Sequence, residues 1–178
     1  MLHRYKVIQT AKYVAFKFFI ALLFAGYCAS ASHALEPPTG EVLLKISGNI
    51  EITNHEDEAW FDLSMLQSLG TTEVKTETPW TDGLAHFKGV LIKDVMDSVG
   101  ASGHNFEALA LNKYNVSFTD IDYEKYPVII AWELNGEPLT VRTLGPLWIM
   151  FPYSEYPEIN IRATEIAAVW QLLRLDVY

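Results

Sequence analysis

Six residues of this 178-residue chain pair a side chain suited to ligand chemistry with a place on a loop: Trp80, Tyr114, Asp120, Arg142, Trp148 and Arg162. Their types suit a flat polar heterocycle. Aromatic rings stack on its faces, a carboxylate accepts from adjacent N–H donors, and guanidinium groups meet carbonyl or hydroxyl oxygens. The same residue types anchor protein interfaces, so an interaction surface competes with a ligand site, and each residue taken singly reads first as packing or ordinary surface. Catalytic patterns are missing. The sequence has no Gly-x-Ser-x-Gly elbow and no glycine-rich phosphate loop, and His55, His86 and His104 share no ligand-like spacing. Asp120 and Asp122 stand at i and i+2, a spacing usable for acid–base chemistry, yet behind Thr119 they read first as a turn and helix start.

Loops carry such groups usefully only when rigid elements hold them. The stretch Trp132 to Pro152 looks like the organising part of the chain. Val128 to Trp132 is an apolar strand, Asn135-Gly136 is a tight reversal, and Leu147 to Phe151 is a second apolar run. Pro138, Gly145, Pro146 and Pro152 stiffen a loop with Arg142 in its middle, where a small-molecule site is expected. Upstream, Val42, Leu44 and Ile46, then Ile50 and Ile52, alternate around Ser47-Gly48 and predict a β-hairpin over residues 41–53. Asp62 is placed to cap a short helix through Leu69 that Gly70 stops. A second helix runs from Leu91 to Val99, apolar on one face and ended by Gly100. Trp80 sits beside Pro79 in a turn, Ala108 to Leu111 is a short strand, and the chain closes on a strand expected to pair centrally. These elements predict one strand-rich α+β domain.

Residues 1–34 read as an export signal. His3, Arg4, Lys6, Lys12 and Lys17 form a basic start, Phe18 to Ala25 an apolar core, and Ser32-His33-Ala34 a cleavage site, the core being shorter than the roughly 18 residues that span a bilayer. The expected product is a soluble periplasmic domain, residues 35–178. No Arg-Arg pair precedes the core, which points to export of an unfolded chain, and Tyr27 before Cys28 argues against lipid attachment. Cys28, the only cysteine, lies within this signal, so the domain has no thiol for a disulfide, a metal or nucleophilic attack. All 22 acidic residues but only nine of the 13 basic ones follow Ala34, giving that part a net charge of −13 (9 minus 22). Such a charge argues against nucleic acid and anionic lipid surfaces as partners.

The order Thr78 to Val90 (TPWTDGLAHFKGV), short amphipathic helix, Asn112-Lys113-Tyr114, Asn135 to Leu139 and Gly145 to Pro152 resembles the molybdopterin-binding domain of the sulfite oxidase family, from about Thr78 to the end. The resemblance implies that family's mixed α+β fold, with a pterin lying among loops from these segments. Two departures accompany it. The family's enzymes hold molybdenum through a cysteine, and their His-Gly-x-Pro-x-Arg run is replaced here by Thr143-Leu144-Gly145-Pro146-Leu147-Trp148. With Arg142 to Trp148, a Tyr-Pro-rich loop, Arg162 and Val169 to Leu172, the chain is similar to small periplasmic members of the fold that lack the cysteine. Some of those are pterin-responsive proteins that dock on the periplasmic domain of an inner-membrane enzyme that makes and degrades cyclic di-GMP, and so influence biofilm formation. The resemblance therefore implies a non-enzymatic periplasmic sensor of a reduced pterin. Trp80, Tyr114 and Trp148 would wall the ring, Asp120 would accept from its amino and ring N–H edge, and Arg142 and Arg162 would orient carbonyl or hydroxyl groups. No molybdenum is expected. A molybdopterin oxidoreductase with a non-cysteine ligand and a ligand-free interaction scaffold are the alternatives.

Overall fold

Apolar residues at alternate positions draw the chain into short strands, and the strands into two sheets. The structure, a computed structural model, describes residues 35–119 and 121–178. The predicted export signal, Cys28 and Asp120 lie outside the described residues. The first sheet contains β1 (Leu44–Gly48), β2 (Ala59–Phe61), β5 (Phe106–Ala110), β6 (Asn115–Phe118) and β10 (Leu172–Val177), in the order β2-β1-β10-β5-β6. Only the β1–β10 pair is parallel. One face buries Leu44, Ile46, Phe106, Ala108, Leu172 and Leu175, while Lys45, Ser47, Trp60, Arg174 and Asp176 face outward among polar neighbours. The last strand is central, as predicted.

The second sheet runs β3 (Thr72–Glu77), β4 (Leu84–Leu91), β7 (Ile129–Leu134) and β8 (Glu137–Pro138), with β9 (Trp148–Met150) also on β7. Strand β7 shares its free edge between two partners: Ile129 to Ala131 pair with β9, and Glu133 and Leu134 with β8. The reversal between β7 and β8 is the predicted Asn135-Gly136 turn, with φ of 53° and 85°, both positive as such a turn requires. Stacked rings link the sheets through one core, Phe106 on Phe118 with centroids 4.4 Å apart and Phe118 on Phe151 at 6.2 Å.

Both predicted helices form. Helix α1 (Leu63–Ser68) starts at Asp62, whose buried carboxylate accepts from Met65 N at 2.9 Å and the Ser64 hydroxyl at 2.6 Å, and also from Thr39 N and Gly40 N. These donors hold the carboxyl well below the usual carboxylate range, the Ser64 hydroxyl contributing most. Helix α2 (Ile92–Ser98) buries Ile92, Val95 and Met96 and ends before Gly100 at φ +60°.

The expected hairpin over residues 41–53 does not form. Strand β1 is flanked by β2 and β10, so no edge is left for Ile50 and Ile52. At Gly48, φ +88°, a Cβ would lie 2.0 Å from the Val177 carbonyl oxygen, and the chain leaves the sheet there. Glu51 and Ile52 instead donate their N–H groups to Val99 O beyond α2. The helix start expected near Asp122 is also a turn only: the Asp122 side chain accepts from Lys125 N at 2.9 Å and its carbonyl from Tyr126 N, and no helix follows.

Candidate functional site

A cleft of about 330 Å³ opens where two loops, the approach to β10 and helix α3 (Arg162–Ala167) meet. Trp80, Tyr114 and Arg162 of the predicted site line it, joined by Asn112, Glu165, Ile166 and Trp170. The volume is at the lower end for a small-molecule site and suits one compact ligand.

Trp80 is positioned by its own turn. Pro79 fixes the preceding φ, Thr78 Oγ1 accepts from Trp80 N at 3.2 Å, and the Thr78 and Thr81 hydroxyls meet at 2.8 Å. The half-buried indole packs edge-on against Trp148 (centroids 5.9 Å apart, interplanar angle 65°) and Trp170 (5.8 Å, 74°). Trp148 and Trp170 are themselves edge to face at 6.4 Å. Edge-to-face contact is the favoured arrangement of aromatic quadrupoles, so the three rings brace one another.

Trp148 does not wall the cleft. It is 0% exposed at the start of β9, with Phe87 at 5.4 Å and its indole N–H donating to Ala168 O at 3.2 Å. Trp170 takes the place expected for it. Arg142 is exposed on a 3-10 turn, Val141–Thr143, that is not part of the lining. Thr140 and Thr143 close that turn through Thr140 N to Thr143 Oγ1 (2.8 Å), and Gln171 Nε2 ties it to Val141 O (2.9 Å). The proline-rich loop is thus tied by hydrogen bonds at Thr140 and Val141, and its Arg142 is not among the residues that line the cleft. Asp120 is outside the described residues.

The opposite wall is Tyr114, on the turn between β5 and β6. Lys113 adopts φ +68° there, Asn112 Oδ1 accepts from Tyr114 N at 2.9 Å, and the Tyr114 hydroxyl crosses to Ile166 O of α3 at 3.1 Å. Arg162 has 84% of its side chain exposed and stands 3.7 Å from Glu165 Oε2, a loose pair of little energetic weight that leaves both charges free to turn to a ligand. Helix α3 is held from beneath. The Thr164 hydroxyl reaches the carbonyls of Ile159 and Ile161, and the Tyr153 hydroxyl donates to Thr164 O at 3.0 Å. Burial pushes the Tyr153 phenol well above its ordinary range, which keeps it a neutral donor.

Sequence reasoning missed Glu165 and Ile166, which sit on a six-residue helix that α3's short, mixed sequence does not announce. Asn112 was legible as part of the Asn112-Lys113-Tyr114 run, and Trp170 as part of the closing strand, though its ring packs under Trp80 instead. Among the described residues no group of three or more His, Cys, Asp or Glu side chains is placed to hold a metal ion, and no helix is long and apolar enough to cross a membrane.

No family model and no curated protein sequence matches this chain. Among solved structures it is similar to the sulfane dehydrogenase SoxCD from Paracoccus pantotrophus, at 19% identity and a TM-score of 0.54 over 76% of this chain. The match spans 37% of that protein's chain, a little over a third of its length. At this identity the likeness concerns architecture alone: the chain has a mixed, strand-rich α+β fold of the sulfite oxidase type.

Proposed function

We propose that the cleft binds one reduced pterin and that the protein is a non-catalytic, exported sensor. Its partner would be the periplasmic domain of an inner-membrane enzyme of cyclic di-GMP metabolism. The observation that carries this is the cleft's composition: two braced indoles and a tyrosine around a slot whose polar groups are Asn112, Arg162 and Glu165. Aromatic faces suit the bicyclic ring. Glu165 is the acceptor available for the pterin's amino and ring N–H edge, the task expected of Asp120, and Arg162 the donor for its oxo group.

The donor set does not fit a molybdenum centre of the family's usual kind. The lining offers no thiol, the sequence's one cysteine being Cys28, and no cluster of other ligating side chains replaces it among the described residues. The reading therefore keeps the organic ring and leaves out the metal.

Anaerobic calorimetry with tetrahydrobiopterin tests it. One-to-one binding is expected, weakened about tenfold by Glu165→Gln, the loss of roughly 1.4 kcal/mol from one charge-assisted hydrogen bond. Absence of binding, or molybdenum at one atom per chain in protein purified from its native source, overturns it.

A further inference from the structure

Helix α3 has a second concavity behind it, about 190 Å³, lined by Ile121, Tyr126, Val128, Ile159 and Ile161 and rimmed by Asp122 and Glu158. Ile161 is 53% exposed. The cavity is smaller than the few hundred Å³ usual for a small-molecule site, yet it is of a size to take one large apolar side chain. Its surroundings are acidic. Asp122 and Glu158 stand on the rim, and the Lys125 ammonium is tied to the Tyr126 hydroxyl at 2.7 Å. That hydroxyl in turn donates to Glu158 Oε1 at 3.3 Å, and the Tyr126 ring meets Tyr156 edge-on at 5.2 Å, so the aromatic wall is fixed.

We propose that this groove docks a partner protein through one aliphatic or aromatic side chain inserted between Tyr126 and Ile161, with flanking Lys or Arg side chains paired to Asp122 and Glu158. Charge complementarity selects the occupant: a cationic segment is drawn to the rim, whereas a second copy of a domain with net charge −13 after Ala34 (nine basic, 22 acidic residues) is repelled. The proposal does not rest on the pterin reading, because the groove and the cleft are lined by different residues.

The test is a random-peptide phage library panned on the purified protein, with counter-selection on Ile161→Asp. That variant should fold, since residue 161 precedes α3 at the capping position, where aspartate is favoured. Expected are peptides carrying Leu, Ile or Phe flanked by Lys or Arg. A synthetic representative should bind at least tenfold more weakly to Ile161→Asp and severalfold more weakly to Glu158→Lys, and its binding to the unaltered protein should fall as salt rises. An acidic or absent consensus, equal binding by both variants, or a sedimenting dimer abolished by Ile161→Asp overturns the proposal. Pterin calorimetry run on the same variants separates the two hypotheses: failure of peptide binding leaves the cleft's affinity intact, and the converse.

Discussion

The Tyr114 hydroxyl donates to the Ile166 carbonyl at 3.1 Å, joining the β5–β6 turn to helix α3 across the cleft. The tyrosine thus has two separable parts, a ring that walls the cleft and a hydroxyl that latches its rim. Tyr114→Phe should lower stability by no more than about 1 kcal/mol in urea unfolding, the net worth of a half-exposed hydrogen bond, and leave tetrahydrobiopterin affinity within a few-fold. Tyr114→Ala should lose affinity by tenfold or more. Equal losses in the two variants would mean the ring makes no contact with ligand.

Trp80 and Trp148 touch at 5.9 Å but stand on different sides of the boundary between site and core. Trp80 is half-buried at the cleft, and Trp148 is fully buried beneath it. Trp80→Ala should weaken pterin binding by roughly 1–3 kcal/mol, the usual value for an aromatic stacking partner, with a smaller change in thermal midpoint. Trp148→Ala should cost about 3–5 kcal/mol of stability through cavity formation and the loss of Phe87, Trp80 and Trp170 contacts. Calorimetry and urea denaturation on the pair decide it; a Trp80 variant that is as unstable as the Trp148 variant refutes the division.

Asp62 makes stability depend on acid. Its folded carboxyl titrates below the unfolded value of about 3.9, because Ser64, Met65, Gly40 and Thr39 all donate to the charged form. A depressed folded value contributes stability above about pH 4 and loses it as pH falls toward the folded value. The urea midpoint should therefore drop steeply below pH 4, and Asp62→Asn should flatten that drop. At pH 7, Asp62→Ala should cost about 1–3 kcal/mol, from the lost cap and the donors left behind at Thr39 and Gly40. An unchanged acid profile in Asp62→Asn would assign the dependence elsewhere.

What the residues announced and what they concealed follow from the range of the interactions. Asp62 and Gly70, Gly100, and Asn135-Gly136 act on their own neighbours, and each ended or reversed an element where its chemistry predicts. The alternation of Leu44, Ile46, Ile50 and Ile52 misled because pairing was settled by β10, more than 120 residues away, which occupies the edge a hairpin would need. Strand β3 buries only Val74 and Thr76 between charged residues, an edge-strand pattern too weakly apolar to stand out. Of the residues singled out by type, Trp80, Tyr114 and Arg162 line one cleft, but burial cannot be read from type: Trp148 and Trp80 look alike in sequence, and only the position of β9 in the core separates them.

Helix α3 presents Arg162, Glu165 and Ile166 to the cleft and Ala163 and Thr164 to the groove, so one six-residue element is a wall of both. It is anchored at defined points, by Tyr153 on Thr164 O and Tyr114 on Ile166 O. A ligand that pulls Arg162 and Glu165 inward must shift or stiffen the same turn that carries Thr164, and so alter the groove. Linkage then requires reciprocity: if tetrahydrobiopterin changes the affinity of a groove-binding peptide, the peptide changes pterin affinity by the same factor. A factor of about five or more is expected, the lower end of typical coupling between sites. Tyr153→Phe should reduce it while leaving each ligand's separate affinity within a few-fold, because it loosens the anchor and touches neither lining. Peptide titrations with and without saturating pterin, and pterin titrations with and without peptide, measure the factor twice; a value of one in both directions would make α3 a passive partition.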